Sequence, residues 1–308
     1  MECFVSKRSY KTSMTKDESV FAHLAGGAVA GLISDGIVHP IDTIRARLQT
    51  QKTQQYSSAT QAFRSIVKTE GPLTLYRGFG AVAMGTIPGH ALYFAGYERS
   101  KDVLNSYFGV KNDDSTAVHL ASGLFADALG ALAWTPQDVV KQRLQVQKKL
   151  GGEIKYKNSI QAAATILKED GIRGLYRGYW AGLAAYGPYV SFYFAGYEQL
   201  KILCQKKYGG KDLPLFVHLF NAALAGSVSA ALTCPLDVVK TRIQVQDKST
   251  ISYQYKNGWD ALNKIIRNEG VATLFHGIKP RCLWMAGGTA ITMAAYEELK
   301  VLLKVFSK

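Results

Sequence analysis

The chain has 308 residues, 47% of them hydrophobic, and its 37 basic and 23 acidic residues give a net charge of +14. This charge lies mostly between apolar runs and accompanies no RNA- or DNA-binding motif. It therefore favours contact with an anionic lipid surface over a basic, soluble nucleic-acid-binding protein. The four cysteines show neither metal-ligand spacing nor a disulfide framework. No set of nucleophile, base and acid indicates an enzyme, and no bound cofactor is expected.

Residues 1–17 form a polar, mildly basic N-terminal extension without the apolar stretch of a secretory signal. Three similar units follow, which we place at residues 18–110, 111–208 and 209–308. Each unit opens with an apolar helix, predicted at 18–49, 115–145 and 213–244, that ends in the phrase Pro-x-Asp-x-x-(Lys/Arg). The prolines Pro40, Pro136 and Pro235 lie 96 and then 99 residues apart. A repeat of this length predicts a single body built from three equivalent parts.

Each unit then continues through the same succession of elements. A short amphipathic helix is predicted near residues 57–69, 158–169 and 257–268, and an acid–Gly turn ends each of them. An aromatic–base–Gly step follows at residues 76–78 and 176–178, whereas the third unit has His276 in place of the arginine. A second apolar helix closes each unit and ends in Tyr-Glu-x-x-Lys.

Long uncharged segments in these helices are of membrane-spanning length. Residues 81–97, 180–197 and 215–234 contain no Asp, Glu, Lys or Arg, and about 20 apolar residues suffice to cross a bilayer. Small residues within the apolar runs permit close helix packing in lipid, and the length of the runs disfavours a soluble helical protein. The sequence thus predicts an all-α membrane protein with six transmembrane helices, arranged as three hairpins with both termini on one side.

These repeated motifs resemble the mitochondrial carrier family over nearly the whole chain. Three copies of Pro-x-Asp-x-x-(Lys/Arg) in register, each followed by a Gly-containing step, are highly specific for that family. The resemblance implies a multi-pass solute carrier of the mitochondrial inner membrane. Its three tandem pseudosymmetric repeats, with short matrix-side helices, would surround a central cavity that opens alternately to either side. The resemblance also implies a monomer that binds cardiolipin and no nucleic acid.

The resemblance assigns the three Pro-x-Asp phrases to a gate at the matrix end. Proline kinks a helix, and an acid and a base three residues apart share one helix face, so three such helices can converge and pair their charges. The implied pairs are Asp42 with Lys141, Asp138 with Lys240, and Asp237 with Arg45. Bracing hydrogen bonds are implied for the glutamines that follow the acids by seven residues: Gln49, Gln145 and Gln244.

The Tyr-Glu-x-x-Lys motifs are implied to form a second gate at the cytoplasmic end. Its charged members are Glu98, Lys101, Glu198, Lys201, Glu297 and Lys300, and its bracing residues are Tyr97, Tyr197 and Tyr296. Taken singly, such charges can be interpreted as surface pairs three residues apart, which contribute about 0–1 kcal/mol each. Their symmetric recurrence at the ends of membrane runs favours the gate instead.

The positions expected to face the middle of the cavity are uncharged, which argues against a strongly anionic substrate. By counting from the motifs of the second helix in each unit, we place the family's substrate contacts at Gly85, Ala185, Tyr186 and Met285. Two acids, Asp35 and Asp127, lie within membrane helices. An acid in a bilayer is costly and is a functional candidate by default, although it can also cap a kink or pair with a neighbouring helix. We therefore expect a small cationic solute or a metal ion as the cargo.

His90 makes iron the first candidate cargo. It lies in the stretch Pro-Gly-His-Ala-Leu-Tyr, which resembles the same helix of the mitoferrins, the mitochondrial iron carriers, and imidazole suits first-row metals. A lone histidine can equally serve packing or hydrogen bonding. Mitoferrins have a histidine where this chain has Asp35, and the segments around Asp35 and Met285 look more like the S-adenosylmethionine carriers. S-adenosylmethionine, which is also a cation, is therefore the second candidate.

Overall fold

The structure, a computed structural model, describes residues 16–51, 55–108, 116–147, 154–208, 213–246, 255–288 and 291. The first unit contains α1 (Lys16–Thr50), α2 (Ala59–Glu70) and α3 (Phe79–Phe108). The second contains α4 (Thr116–Val146), α5 (Ser159–Asp170), the single turn α6 (Ile172–Leu175) and α7 (Tyr179–Lys207). The third contains α8 (Leu215–Leu232), α9 (Cys234–Val245), α10 (Gly258–Glu269) and α11 at residues 278–288. The described ranges consist of helices, 3-10 turns and short connections, which confirms the all-α prediction.

The prolines of the repeated phrase are accommodated differently in the three units. Pro40 and Pro136 lie inside the continuous helices α1 and α4, whereas the third opening helix, predicted as one element, is divided at Thr233. Pro235 falls in the first turn of α9, where its missing N–H leaves no helical hydrogen bond unmade. No single helix of the described ranges is long and apolar enough to qualify as a membrane span. The consecutive segments Phe216–Leu232 and Cys234–Val245, bent by 67° at their break, qualify as a pair.

Each short amphipathic helix is capped at both ends by residues of the repeat. A polar side chain before the first turn accepts a hydrogen bond from the backbone N–H three residues on, a donor that the helix itself leaves open. These N-caps are Ser58, Asn158 and Asn257. Each helix ends at a glycine with positive φ, a conformation that glycine adopts without steric cost: Gly71 at 91°, Gly171 at 68° and Gly270 at 86°.

One buried isoleucine fastens each amphipathic helix to the opening helix of its own unit. Ile66 of α2 packs with Ile44 and Leu48 of α1, and its counterparts on α5 and α10 make the same contact with α4 and α9. The counterparts are Ile166 and Ile265. The three short helices therefore lie against the C-terminal halves of the opening helices, which places them at one end of the molecule.

The units also pack closely on one another. The opening helices α1, α4 and α9 contact each other pairwise. Between α3 and α4 the approach depends on glycine, because a Cβ atom at Gly89 would lie 2.0 Å from the indole nitrogen of Trp134. The last described helix meets the first, since the Ser34 hydroxyl of α1 donates a 3.0 Å hydrogen bond to the Gly288 carbonyl of α11. The Pro-x-Asp phrases of all three units are thus brought to one place.

Candidate functional site

A ring of six charged side chains joins the three opening helices where they converge. Each acid contacts a base of another unit: Asp42 lies 3.4 Å from Lys141, Asp138 lies 2.8 Å from Lys240, and Asp237 lies 3.4 Å from Arg45. Two acids also contact the base three residues on in their own helix, at 2.7 Å for Asp42 with Arg45 and 3.3 Å for Asp138 with Lys141. These six residues form what we call the ion-pair ring. Most of these side chains are buried, so each charge is compensated mainly by its ion-pair partners and little by water.

Two of the three expected glutamines hydrogen-bond to acids of the ion-pair ring. The Gln49 amide donates to Asp237 at 2.8 Å, and the Gln145 amide donates to Asp42 at 3.1 Å. The Gln244 side chain makes no hydrogen bond to an acid of the ring among the described residues, and its buried carbonyl oxygen has no partner there. Asp138 contacts Lys141 and Lys240.

Arg281 of α11 is a seventh charged residue at the ring, which the sequence reasoning missed. Its side chain is buried, its Nε lies 3.5 Å from Asp237, and its Nη2 donates to the Thr233 hydroxyl at 3.0 Å. The other two units have Val38 and Trp134 at the position of Thr233, two residues before the proline, and therefore lack this hydroxyl. Four residues past the glycine of each aromatic–base–Gly step stand Val82, Gly182 and Arg281. A comparison of these positions would have shown the extra cation.

A second set of arginines links each unit to the next beneath the ion-pair ring. Each lies five residues after the acid of its phrase and donates its Nε to the backbone carbonyl of a glutamine in another unit. The hydrogen bonds are Arg47 to Gln145 at 2.8 Å, Arg143 to Gln244 at 3.4 Å, and Arg242 to Gln49 at 2.8 Å. We call these three residues the linking arginines. They satisfy carbonyl groups near the helix ends, which lack intrahelical partners.

Each linking arginine is also paired with the acid that ends the amphipathic helix of its own unit. The partners are Glu70 for Arg47, Asp170 for Arg143 at 3.0 Å, and Glu269 for Arg242 at 2.8 Å. In the first two units the acid takes a second arginine, Arg77 at 3.3 Å and Arg177 at 3.2 Å. His276 stands at this place in the third unit. Its Nδ1 is buried without a hydrogen-bond partner in the described ranges, and burial together with the nearby Arg242 lowers the pKa of the His276 imidazole.

The first two Tyr-Glu-x-x-Lys motifs lie on α3 and α7, toward the C-terminal ends of these helices. The Lys201 ammonium is 3.4 Å from Glu198 of its own helix, and both side chains are partly exposed. The Tyr97 hydroxyl is hydrogen-bonded to His119 Nδ1 at 2.7 Å, and the Tyr197 hydroxyl to His218 Nδ1 at 2.9 Å. The third motif, Tyr296, Glu297 and Lys300, lies outside the described residues. Sequence reasoning missed His119 and His218, although each stands 17 residues before the proline of a Pro-x-Asp phrase.

A cavity of about 180 Å³ borders the ion-pair ring. Asp35 and His39, one helical turn apart on α1, line it together with two residues of the ring. The full lining consists of Asp35, His39, Asp42, Val82, Gln137, Lys141 and Trp284. His39 is held by its Nε2, which donates to the Arg77 carbonyl at 3.1 Å, and the Gln137 amide oxygen is buried without a partner among the described residues. A carboxylate thus lines a small cavity whose nearest lysine, Lys141, is already paired within the ring.

The expected substrate contacts are placed unequally around this cavity. Gly85 carries no side chain and packs against Gln137, Ala185 is buried, and Tyr186 is 46% exposed. In the third unit the cavity is lined by Trp284 and not by the neighbouring Met285. Counting seven residues from Gly78, Gly178 and Gly277 gives Gly85, Ala185 and Trp284, so the sequence contained the signal for Trp284.

Asp127 lies on α4, and His90 lies on α3 next to α4. Asp127 is 9% exposed and lies within electrostatic range of Lys240, Tyr93 and Tyr186. The His90 ring donates from Nδ1 to the Thr86 carbonyl at 2.8 Å and meets Trp134 edge to face. Because Nδ1 carries the proton, Nε2 has a free lone pair. Groups of three or more His, Cys, Asp or Glu side chains suited to a metal ion are absent from the described ranges.

A sequence model described as "Mitochondrial carrier protein" matches three consecutive segments, residues 16–108, 112–208 and 211–306. The chain belongs to the mitochondrial carrier family. It is therefore a solute carrier with three repeats and a multi-pass protein of the mitochondrial inner membrane. The amphipathic helices α2, α5 and α10 and the ion-pair ring lie at the same end of the molecule.

Similar carriers include proteins named for different substrates and one whose name specifies none. Mitochondrial substrate carrier family protein E of Dictyostelium discoideum is 46% identical over 300 residues, covering 94% of this chain and 98% of the relative. Human mitoferrin-1 is 31% identical, covering 92% of this chain and 84% of the relative. Probable S-adenosylmethionine carrier 2 of Arabidopsis thaliana, a chloroplastic protein, is 34% identical, covering 92% of this chain and 75% of the relative.

Proposed function

We propose that this carrier transports a small cationic solute by alternating access, with the ion-pair ring as its matrix gate. The observation that carries the proposal is Asp35, a carboxylate that lines the cavity directly above the ring. Among the described residues no ion pair involves Asp35 or Asp127. An acid without a paired base is costly at membrane depth unless it faces water or a cation, and a cationic cargo supplies the missing charge.

The arrangement of the two ends corresponds to a carrier that is closed toward the matrix. At that end the three units are joined by ion pairs and by the linking arginines. At the other end, Glu198 and Lys201 pair within one helix and are partly exposed. In this proposal, cargo enters from the cytoplasmic side, and its binding offsets the cost of separating the ring. The Tyr-Glu-x-x-Lys residues then form the opposite gate.

Ferrous iron and S-adenosylmethionine are the two candidate cargoes, and each has an observation in its favour. His90 presents a free Nε2 on α3, and imidazole nitrogen suits ferrous iron. For S-adenosylmethionine, the cavity pairs Asp35 with the indole of Trp284, and an aromatic face next to a carboxylate attracts an organic cation. Relatives named for each cargo are similar to the chain over more than nine tenths of its length.

The test is uptake into liposomes containing the purified carrier. Ferrous iron, labelled S-adenosylmethionine and, as anionic comparisons, ATP and malate are supplied separately. We expect uptake of one cation and of neither anion, and loss of most of that uptake in Asp35→Asn. The matched control is Glu169→Gln, which removes an exposed carboxylate on α5 and leaves uptake unchanged. Uptake of an anion with equal rates in the wild type and in Asp35→Asn would contradict the proposal.

A further inference from the structure

Trp284 is the one large side chain among three repeat-equivalent positions in the middle of the carrier. Its counterparts, seven residues past the glycine of the aromatic–base–Gly step, are Gly85 and Ala185. At Gly85 a larger residue would have to displace the Gln137 side chain, because a Cβ atom would lie 2.2 Å from the Gln137 amide oxygen and 2.8 Å from its Cβ. Of these three positions, only the third unit therefore presents a broad aromatic surface at this level.

The indole of Trp284 contacts Arg45, a base of the ion-pair ring that belongs to the first unit. The guanidinium carbon of Arg45 lies 5.0 Å from the centroid of the Trp284 ring, which is within the range of a cation–π interaction. Arg45 is held at the same time by Asp42 at 2.7 Å and by Asp237 at 3.4 Å. One base of the ring thus has three partners, two carboxylates and an indole.

The same indole borders the cavity of the proposed cargo. Trp284 lines that cavity together with Asp35, the acid that attracts a cation. In a volume of about 180 Å³, a cation held by Asp35 also lies within reach of the indole. The ring attracts a ligand cation by the same electrostatics by which it attracts arginine. Arg45 and the cargo therefore compete for one aromatic surface.

We propose that Trp284 couples cargo binding to the opening of the matrix gate, by exchanging Arg45 for the cargo as the cation against its ring. The inference rests on the proposed cationic cargo. In the empty carrier the indole holds Arg45 and favours the closed gate. Once the gate opens, Arg45 has left and the indole is fully available to the cargo, so the cargo binds the open gate more tightly. This differential affinity is what a ligand needs to shift a two-state equilibrium.

The first arm of the test measures the gate without any cargo. A reporter cysteine, Val82→Cys, is placed in the cavity lining in a background without the four native cysteines. The carrier is inserted in liposomes in one orientation. A membrane-impermeant methanethiosulfonate added at the matrix face then reacts only when the matrix gate opens. We expect Trp284→Leu to raise this reaction rate by between about twofold and thirtyfold, the range of one cation–π contact, and Trp284→Phe to raise it less.

Two controls separate coupling from a change in packing. Leu283→Ala alters an exposed neighbour on the same helix and should leave the rate unchanged. In an Arg45→Gln background Trp284→Leu should have no further effect, because the indole has lost its cation. An equal effect of Trp284→Leu with and without Arg45 would overturn the proposal, as would an unchanged rate in the Trp284→Leu carrier.

The second arm adds ferrous iron or S-adenosylmethionine from the cytoplasmic side. We expect the transported cation to raise the matrix-face reaction rate in the Trp284 carrier and to raise it several-fold less in Trp284→Leu. An equal rise of the matrix-face reaction rate in the wild-type and Trp284→Leu carriers would overturn the proposed exchange of Arg45 for the cargo. If only an anion stimulates the reaction while Trp284→Leu still opens the empty gate, the proposed cargo fails and the Trp284–Arg45 contact stands. The two proposals therefore fail in different arms.

Discussion

Arg47 of α1 donates its Nε to the backbone carbonyl of Gln145 in α4, at 2.8 Å, and its guanidinium is paired with Glu70 of α2. One side chain thereby joins the opening helix of one unit, the amphipathic helix of the same unit and the C-terminal end of the next unit's opening helix. The same arrangement recurs at Arg143 and Arg242. Two layers of contacts, the ion-pair ring and the linking arginines, therefore join the three units at this end of the molecule.

Replacing a linking arginine should destabilise the carrier strongly. In Arg47→Leu the largely buried Glu70 loses its main partner, and the carbonyl groups of Gln145 and Gln147 lose a donor, so we expect a cost of about 3–5 kcal/mol. Thermal unfolding of the detergent-solubilised carrier measures it. Arg267→Leu, at an exposed position of α10, is the control and should change the unfolding temperature little. Equal shifts for the two variants would contradict the linking role.

Arg281 should stabilise the matrix-closed form through Asp237 and Thr233. Arg281→Gln removes a buried cation 3.5 Å from Asp237, and we expect a loss of about 1–3 kcal/mol, the cost of leaving a buried polar group short of a partner. Thermal unfolding again measures the change. Lys279→Gln removes a charge from an exposed position two residues away and should have no measurable effect. If the two variants unfold alike, Arg281 is not a member of the gate.

His276 should make the matrix side sensitive to acid. Its pKa is lowered in the folded carrier, because burial and Arg242 disfavour the imidazolium, so the unfolded chain binds the proton more tightly. Stability is then complete above the ordinary histidine pKa of about 6.5 and falls as the pH drops from there toward the folded value. His276→Gln should remove this component. The readout is the difference in unfolding temperature between the two proteins from pH 5 to 8. A difference that does not change with pH would contradict the prediction.

The contact between α5 and α4 should depend on one isoleucine. Ile166 is fully buried in the cluster that joins the two helices, so Ile166→Ala should cost about 2–5 kcal/mol through lost burial and the cavity left behind. Ile160 of the same helix is 68% exposed, and Ile160→Ala is the matched control, with an expected change below about 0.5 kcal/mol. Comparable losses in both would mean that α5 is not held through its apolar face.

Sequence reasoning reached the composition of the ion-pair ring because its members recur three times in register. It missed Arg281, Trp284 and the histidines that hold Tyr97 and Tyr197, although counting from the repeat landmarks finds each of them. The linking arginines are a different case. Their charge is visible in the sequence, but they donate to main-chain carbonyls, which every residue possesses, and no residue pattern marks the chosen acceptor. The division of the third opening helix at Thr233 was also missed, because the same proline phrase predicts the same helix in all three units. The structure instead has Pro40 and Pro136 in continuous helices.

The sequence by itself determined the class of the protein: a threefold repeat, an all-α architecture and the family. These follow from local information, because periodicity, proline and glycine positions and motif spacing act within a few helical turns. Only the tertiary structure decided which groups meet at the centre. Arg45 of the first unit is placed against Trp284 of the third, and Arg281 against Asp237 within the third unit, by the relative depth and rotation of the packed helices. Such contacts differ between units with the same motifs, because each depends on the packing of the whole bundle.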